Sequence, residues 1–310
     1  MGSLRGRGIR TSANAEQQVV GQLVEVFQAQ AAAAQRGAVE GAVFQRGGVL
    51  GREAALQAIE WPEGDWPTLA QGGHHPAAQA QLPALPPHPW PDVPARDDFS
   101  GPQLRAEWMT LRAPPEVLGV SLAEGGGLRL RGAESLMSRH RVSLVGRRLQ
   151  SLHARLRTRL DFAPEDFQQM AGLSAYYDSR NWVYLRVSHD EVAGRSLNIT
   201  SCENGVYREH LPQDVGIGDA GPVTLEVTYD GPTFRFGYST DGAAWHPIGD
   251  PFSAGLLSDE HCGGLSFTGT FLALTCQDLS GRGQTATFHW AEYTERRPQD
   301  GPAPGQTTLP

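Results

Sequence analysis

The sequence predicts an all-β protein built as a large antiparallel β-sandwich, on three observations. From Asp97 onward, short segments alternate apolar and polar residues with a period of two. Clusters of Gly, Asp, Asn and Pro separate them at turn spacing. About a dozen such segments occupy roughly 200 residues without convincing helical periodicity, the pattern of a sandwich. A closed barrel or a propeller would also use many strands, but no repeat of blade length recurs, so the sandwich is favoured.

Residues 1–45 differ from the rest. Glu16 to Gln35 is rich in Gln and Ala, with Val20, Leu23, Val24 and Phe27 at helical spacing, so this N-terminal extension is read as an amphipathic helix or a disordered segment. Residues 46–66 form a separate short segment. From 67 to 96, Pro83, Pro86, Pro87, Pro89, Pro91 and Pro94 favour an extended, semi-rigid linker, because proline blocks helix and central strand alike. The sandwich is assigned to 97–296. Within it Leu149 to Leu160, Trp182 to Val187, Val223 to Tyr229 and Thr233 to Tyr238 read as strands. Asp178 to Asn181, Glu203 to Gly205, Asp230 to Pro232 and Asp241-Gly242 read as turns. Residues 297–310 are expected to be a disordered tail.

The totals exclude several functions. At 310 residues and 39% hydrophobic content the chain can build a real core. A net charge of −8, with every basic residue an Arg, argues against a nucleic-acid partner, which wants a dense basic surface. No apolar run is long enough to span a bilayer and no leader-like apolar region opens the chain, so a cytoplasmic protein without a membrane partner is expected. Cys202, Cys262 and Cys276 are too scattered for a disulfide framework or a metal site, which fits a reducing compartment. Asn198-Ile-Thr200 matches a glycosylation triplet of the kind that arises by chance.

No nucleophile elbow, zinc-protease motif or phosphate-cradling loop is present, and most carboxylates fall in predicted turns. No cofactor is expected. Tyr176, Tyr177, Trp182 and Tyr184 cluster on neighbouring strands and are candidates for stacking on sugar rings, with core packing as the alternative. Asp98 and Asp278 lie near the two ends of the sandwich and are weak candidates for holding a cation. Two carboxylates fall short of the six or more oxygens that Ca²⁺ requires, so no metal is expected.

Several stretches, in order and at consistent spacing, carry a resemblance. They are Arg96-Asp-Asp-Phe-Ser-Gly101 with Trp108, Ser135 to His140 with Gly146-Arg-Arg148, and Leu160-Asp-Phe-Ala-Pro164. Gln168 to Leu173 with Tyr176-Tyr177 follows, then Ser266 to Phe271, Cys276 to Gly281 and Ala286-Thr-Phe288. Together they resemble the C-terminal concanavalin-A-like, jelly-roll-type sandwich of glycoside hydrolase family 43 β-xylosidases. Val49-Leu-Gly-Arg-Glu53, Glu60-Trp61 and Asp65-Trp-Pro67 resemble the segment in which such enzymes leave the catalytic propeller, with Ala54 where the family usually has Thr. Residues 46–66 are then a remnant of that exit segment. Residues 1–45 do not resemble a propeller blade, and a truncation, a gene-model error or a frame change would each account for this.

The resemblance implies inverting hydrolysis by an Asp base, a Glu acid and a modulating Asp, all on the propeller. The first Asp of this chain is Asp65, so that set is expected to be absent and the chain to be inactive alone. It further implies that a sandwich loop places a Phe at the mouth of the propeller's pocket. Phe271, or Phe267, is the candidate, an ordinary buried Phe being the alternative. The expected role is an accessory module in xylan degradation, partnered by a family 43 propeller or by another copy of itself, with xylo-oligosaccharides as the sugar. A stand-alone xylan-binding module and a glycosidase with unrecognised carboxylates are the alternatives.

Overall fold

The computed structural model describes residues 48–51, 58–73, 85–86, 88–89, 91–263 and 268–296. The expected N-terminal helix, Phe267 and the expected tail lie outside the described residues. In chain order the strands are β1 (Ile59–Glu60), β2 (Thr68–Leu69), β3 (Arg96–Asp97), β4 (Met109–Thr110), β5 (Val120–Leu122) and β6 (Leu128–Arg131). They continue as β7 (Ser143–Arg148), β8 (His153–Asp161), β9 (Gln169–Asp178), β10 (Asn181–Asp190), β11 (Gly194–Glu203) and β12 (Val206–Glu209). The last six are β13 (Val215–Gly216), β14 (Val223–Asp230), β15 (Thr233–Ser239), β16 (His246–Ser253), β17 (Phe271–Asp278) and β18 (Thr285–Glu295).

The chain divides into two compact units, one of residues 1–45 and 52–91 and one of 46–51 and 92–310. In the first, β1 pairs antiparallel with β2. The turn between them is tied by Trp61 Nε1 donating to the Asp65 carbonyl and by the Trp66 N–H donating to the Asp65 carboxylate. Thr68-Leu69, placed in the linker from its sequence, thus forms a strand, because Pro67 precedes the pair without interrupting its N–H groups.

The second unit is a two-sheet antiparallel sandwich. Its first sheet runs β12-β11-β10-β9-β17-β7-β4, with β13 also on β11, and its second runs β16-β15-β14-β8-β18-β6-β5, with β3 also on β18. Between the sheets, Leu173, Leu185, Leu197 and Leu272 meet Leu156, Leu160, Leu225 and Val227 in one continuous core. The two sheets differ on their outer faces. On β8 burial alternates, Ala154, Leu156, Thr158 and Leu160 pointing inward and Arg155, Arg157 and Arg159 outward, as in a half-solvated strand. On β9, β10 and β11 nearly every residue is buried. The outer face of the first sheet is covered by a second apolar cluster in which Leu136 and Val142 pack on Tyr176, Trp182, Tyr184 and Cys202.

The expected turns are hairpin connections. Asp178 to Asn181 joins β9 to β10, and Asp178 Oδ1 accepts from the Arg180 N–H and from Asn181 Nδ2. Between β11 and β12, Asn204 (φ 51°) and Gly205 (φ 89°) take the left-handed conformation that a two-residue hairpin loop needs.

Candidate functional site

The candidate site lies at one end of the first sheet, where β17 begins between β9 and β7. Phe271 is the first residue of β17, half-buried, with Arg148 of β7 on one side and Tyr176 of β9 on the other. The Arg148 guanidinium carbon sits 4.9 Å from the Phe271 ring centroid, a cation–π contact that orients the ring. Immediately before Phe271, Thr270 is fully buried and its backbone is satisfied in both directions. Its N–H donates to the Val49 carbonyl and its carbonyl accepts from the Leu149 N–H, each at 2.9 Å. The Gly48 N–H donates to Glu260 Oε2 at 2.9 Å.

Residues 48–51 are therefore stitched into the sandwich at the approach to Phe271, and Val49 belongs to the main core. The crossing needs glycine on both chains. A Cβ on Gly269 would lie 2.4 Å from the Leu50 carbonyl oxygen, and one on Gly51 would lie 2.7 Å from that of Thr268. The neighbouring turn is tied as well. Tyr177 donates its hydroxyl to Asp259, and His261 Nε2 lies 2.9 Å from Glu203 Oε1. Burial, then the Asp259 carboxylate, holds the Tyr177 phenol far above its ordinary range, so it stays a donor.

The four aromatic candidates do not share an open face. Their exposures run from 1% for Tyr184 to 4% for Trp182. Tyr177 points into the main core, whereas Tyr176, Trp182 and Tyr184 belong to the outer apolar cluster. Tyr184 donates to the Thr275 carbonyl at 3.3 Å, and Tyr207 meets Trp182 edge-on with ring centroids 6.3 Å apart. Tyr176, Trp182 and Tyr184 offer a sugar ring no open face, because they are buried in one cluster with Leu136 and Val142.

Asp98 and Asp278 act as separate loop staples. Asp98 accepts the N–H and hydroxyl of Ser100, and the hydroxyl bond comes first in holding its carboxyl below the usual range. Asp278 accepts the N–H and hydroxyl of Ser280, the Gln284 N–H and Gln169 Nε2. Burial alone would raise the Asp278 pKa, but these donors, the Gln284 N–H foremost, bring it below the ordinary value. Among the described residues no three His, Cys, Asp or Glu side chains converge as a metal site. Asp97, not among the candidates from the sequence, is buried and accepts Trp108 Nε1 and the Phe99 N–H, each at 2.9 Å. The signal was available in the Asp-x-Phe spacing, which places an N–H two residues beyond the carboxylate.

Comparison with known proteins bears on the whole arrangement. Residues 96–294 match the family described as the β-xylosidase C-terminal concanavalin A-like domain of glycoside hydrolase family 43. The chain belongs to that family. Curated relatives include a xylan 1,3-β-xylosidase of a Vibrio species, 40% identical over 251 residues, which cover 80% of this chain and 46% of the relative. A putative β-xylosidase of Escherichia coli K12 is 39% identical, over 79% of this chain and 46% of its own length. Among solved structures, the xylan β-1,4-xylosidase of Bacillus halodurans C-125 superimposes with a TM-score of 0.78 at 39% identity, over 82% of this chain and 49% of the enzyme. The chain thus spans about half the length of the relatives it matches, and the observed fold is the sandwich that the resemblance implied. Among the described residues no helix is long and apolar enough to cross a membrane.

Proposed function

We propose that this chain serves as the accessory sandwich of a family 43 β-xylosidase or α-arabinofuranosidase, packing on a catalytic propeller and supplying Phe271 to the wall of its sugar pocket. The observation that carries this reading is the stitching of residues 48–51 onto Thr268 to Thr270. Residues 48–51, part of the segment that resembles a propeller exit, are fixed to the sandwich one residue before Phe271. The burial of Tyr176, Trp182 and Tyr184 speaks for a structural role of the aromatic strands over a stand-alone sugar platform. Three free, buried thiols fit a reducing cytoplasm as the working compartment.

A chimera tests the role. Residues 46–310 of this chain replace the matching half of the Vibrio relative, and xylobiose hydrolysis is followed. The chimera is expected to stay active, and Phe271→Ala is expected to raise KM by roughly tenfold with a smaller change in kcat, the loss of one buried aromatic contact to substrate. An active chimera whose KM ignores Phe271→Ala would remove the pocket role.

A further inference from the structure

The outward face of the second sheet carries positive charge out of keeping with a chain of net charge −8. Along β8, Arg155, Arg157 and Arg159 point outward at alternate positions. The strand register brings Arg235 of β15 onto the same face through Thr228 of β14, which lies opposite Arg155. On the other side of β8, Arg96 and Arg129 share this face across β18. The carboxylates of this face are Asp161, Glu226, Asp230 and Glu292; the last three are already engaged, Arg155 itself lying 4.0 Å from Glu226 and 3.9 Å from Glu292. Glu226 Oε2 sits 2.5 Å from Arg157 Nε, and Asp230 Oδ1 sits 3.0 Å from His153 Nδ1 and 3.3 Å from an Arg296 nitrogen. Arg129, Arg159 and Arg235 have no carboxylate within 4.0 Å among the described residues. A cleft of about 320 Å³ opens on the same face, lined by Arg155, Arg235 and Arg296 and by Glu226, Asp230 and Glu295 among others.

We propose that this face binds a neutral polysaccharide carrying sparse carboxylates, a uronate-substituted glycan, with one carboxylate seated against Arg235 and Arg155 in the cleft. A guanidinium fork matches a carboxylate bidentately, and a fork held in place loses less freedom on binding. Two further arginines of the face, beside Arg155 and Arg235, are so held. Arg157 lies 4.3 Å from the Trp245 ring centroid and Arg96 lies 4.2 Å from that of Trp290. The spacing of charge selects the ligand class. Glu226 and Glu292 flank Arg157 on the neighbouring strands. A nucleic acid, with a phosphate about every 3.4 Å along each strand, would set phosphates against them. A glycan with isolated uronates meets arginine with its charges and offers hydroxyl donors to Glu226 and Glu292. None of the residues around Phe271 takes part, so this face stands or falls independently of the pocket role.

The test is affinity electrophoresis of the whole chain through gels containing glucuronoxylan or its carboxyl-reduced form, with a fluorescence titration of oligothymidine alongside. Retardation by glucuronoxylan alone is expected, weakening as salt is added. The double substitution Arg155→Gln/Arg235→Gln is expected to weaken it by at least about tenfold at an unchanged thermal midpoint, the loss of charge-assisted hydrogen bonds. Arg208→Gln, on β12 of the other sheet, should behave as the unmodified chain. Equal retardation in the carboxyl-reduced gel, no retardation at all, tighter binding of oligothymidine, or an equal loss in Arg208→Gln would each overturn the proposal.

Discussion

Asp278 shows how a single side chain can hold two strands at the correct separation. It ends β17, and its carboxylate collects the N–H groups of Ser280 and Gln284 across the turn that leads into β18. Its folded pKa lies below the ordinary carboxylate value. The unfolded chain therefore binds the proton more readily, so stability rises with pH through the acid range, is fully present above the unfolded pKa, and is lost as pH falls through the folded pKa. Urea unfolding followed from pH 7 downward should show this loss below about pH 4, near the unfolded carboxylate pKa. Asp278→Ala should flatten that part of the profile and lower stability at pH 7 by about 1–3 kcal/mol, since it leaves turn N–H groups without a partner. A variant with the same acid slope as the unmodified chain would show that another carboxylate governs it.

At the scale of strands, the first sheet differs from the second in being buried on both faces, and β10 makes the point testable. Leu185 faces the main core and Trp182 faces the outer cluster, both almost without exposure. Leu185→Ala should cost about 2–5 kcal/mol and Trp182→Ala about 3–5 kcal/mol, because each opens a cavity in a packed interior. Thr294→Ala, half-exposed on β18 of the second sheet, should stay within about 0.5 kcal/mol. Chemical denaturation checks all three, and a mild Trp182→Ala would mean that the outer cluster is not a true core. This asymmetry was only half legible in the sequence. Alternation and β-branched runs marked β10, β14 and β15, and Asp178 to Asn181 and Glu203 to Gly205 marked the hairpins, because these signals are local. Period-two spacing also separates Tyr176 from Tyr177. What covers Tyr176, however, is supplied by Leu136 and Val142 from distant positions, and no local pattern encodes that contact. Likewise the run from Leu149 to Leu160 enters β8 only at His153, because the Leu149 N–H is committed to Thr270.

At the scale of the whole molecule, the sandwich is closed by its C-terminal end. β17 lies between β9 and β7 in the first sheet, and β18 lies between β8 and β6 in the second. Both centres are therefore completed by residues 271–295, and neither sheet is continuous until the end of the domain is present. Pairings of such large sequence separation form slowly and all together, so stable partial folds are not expected from the N-terminal strands alone. A chain ending at residue 270 would leave β7 and β9 with unpaired edges and would remove Leu272 and Leu274 from the core. Cys202 reports the result. In the intact protein it is buried in the outer cluster, with its thiol pKa raised chiefly by burial, so a thiol reagent should label it only as fast as the fold opens. In the chain ending at 270, labelling of Cys202 should match the rate in urea. Protection of Cys202 in that shortened chain would show that β9, β10 and β11 fold as an independent unit and that the C-terminal strands only dock onto it.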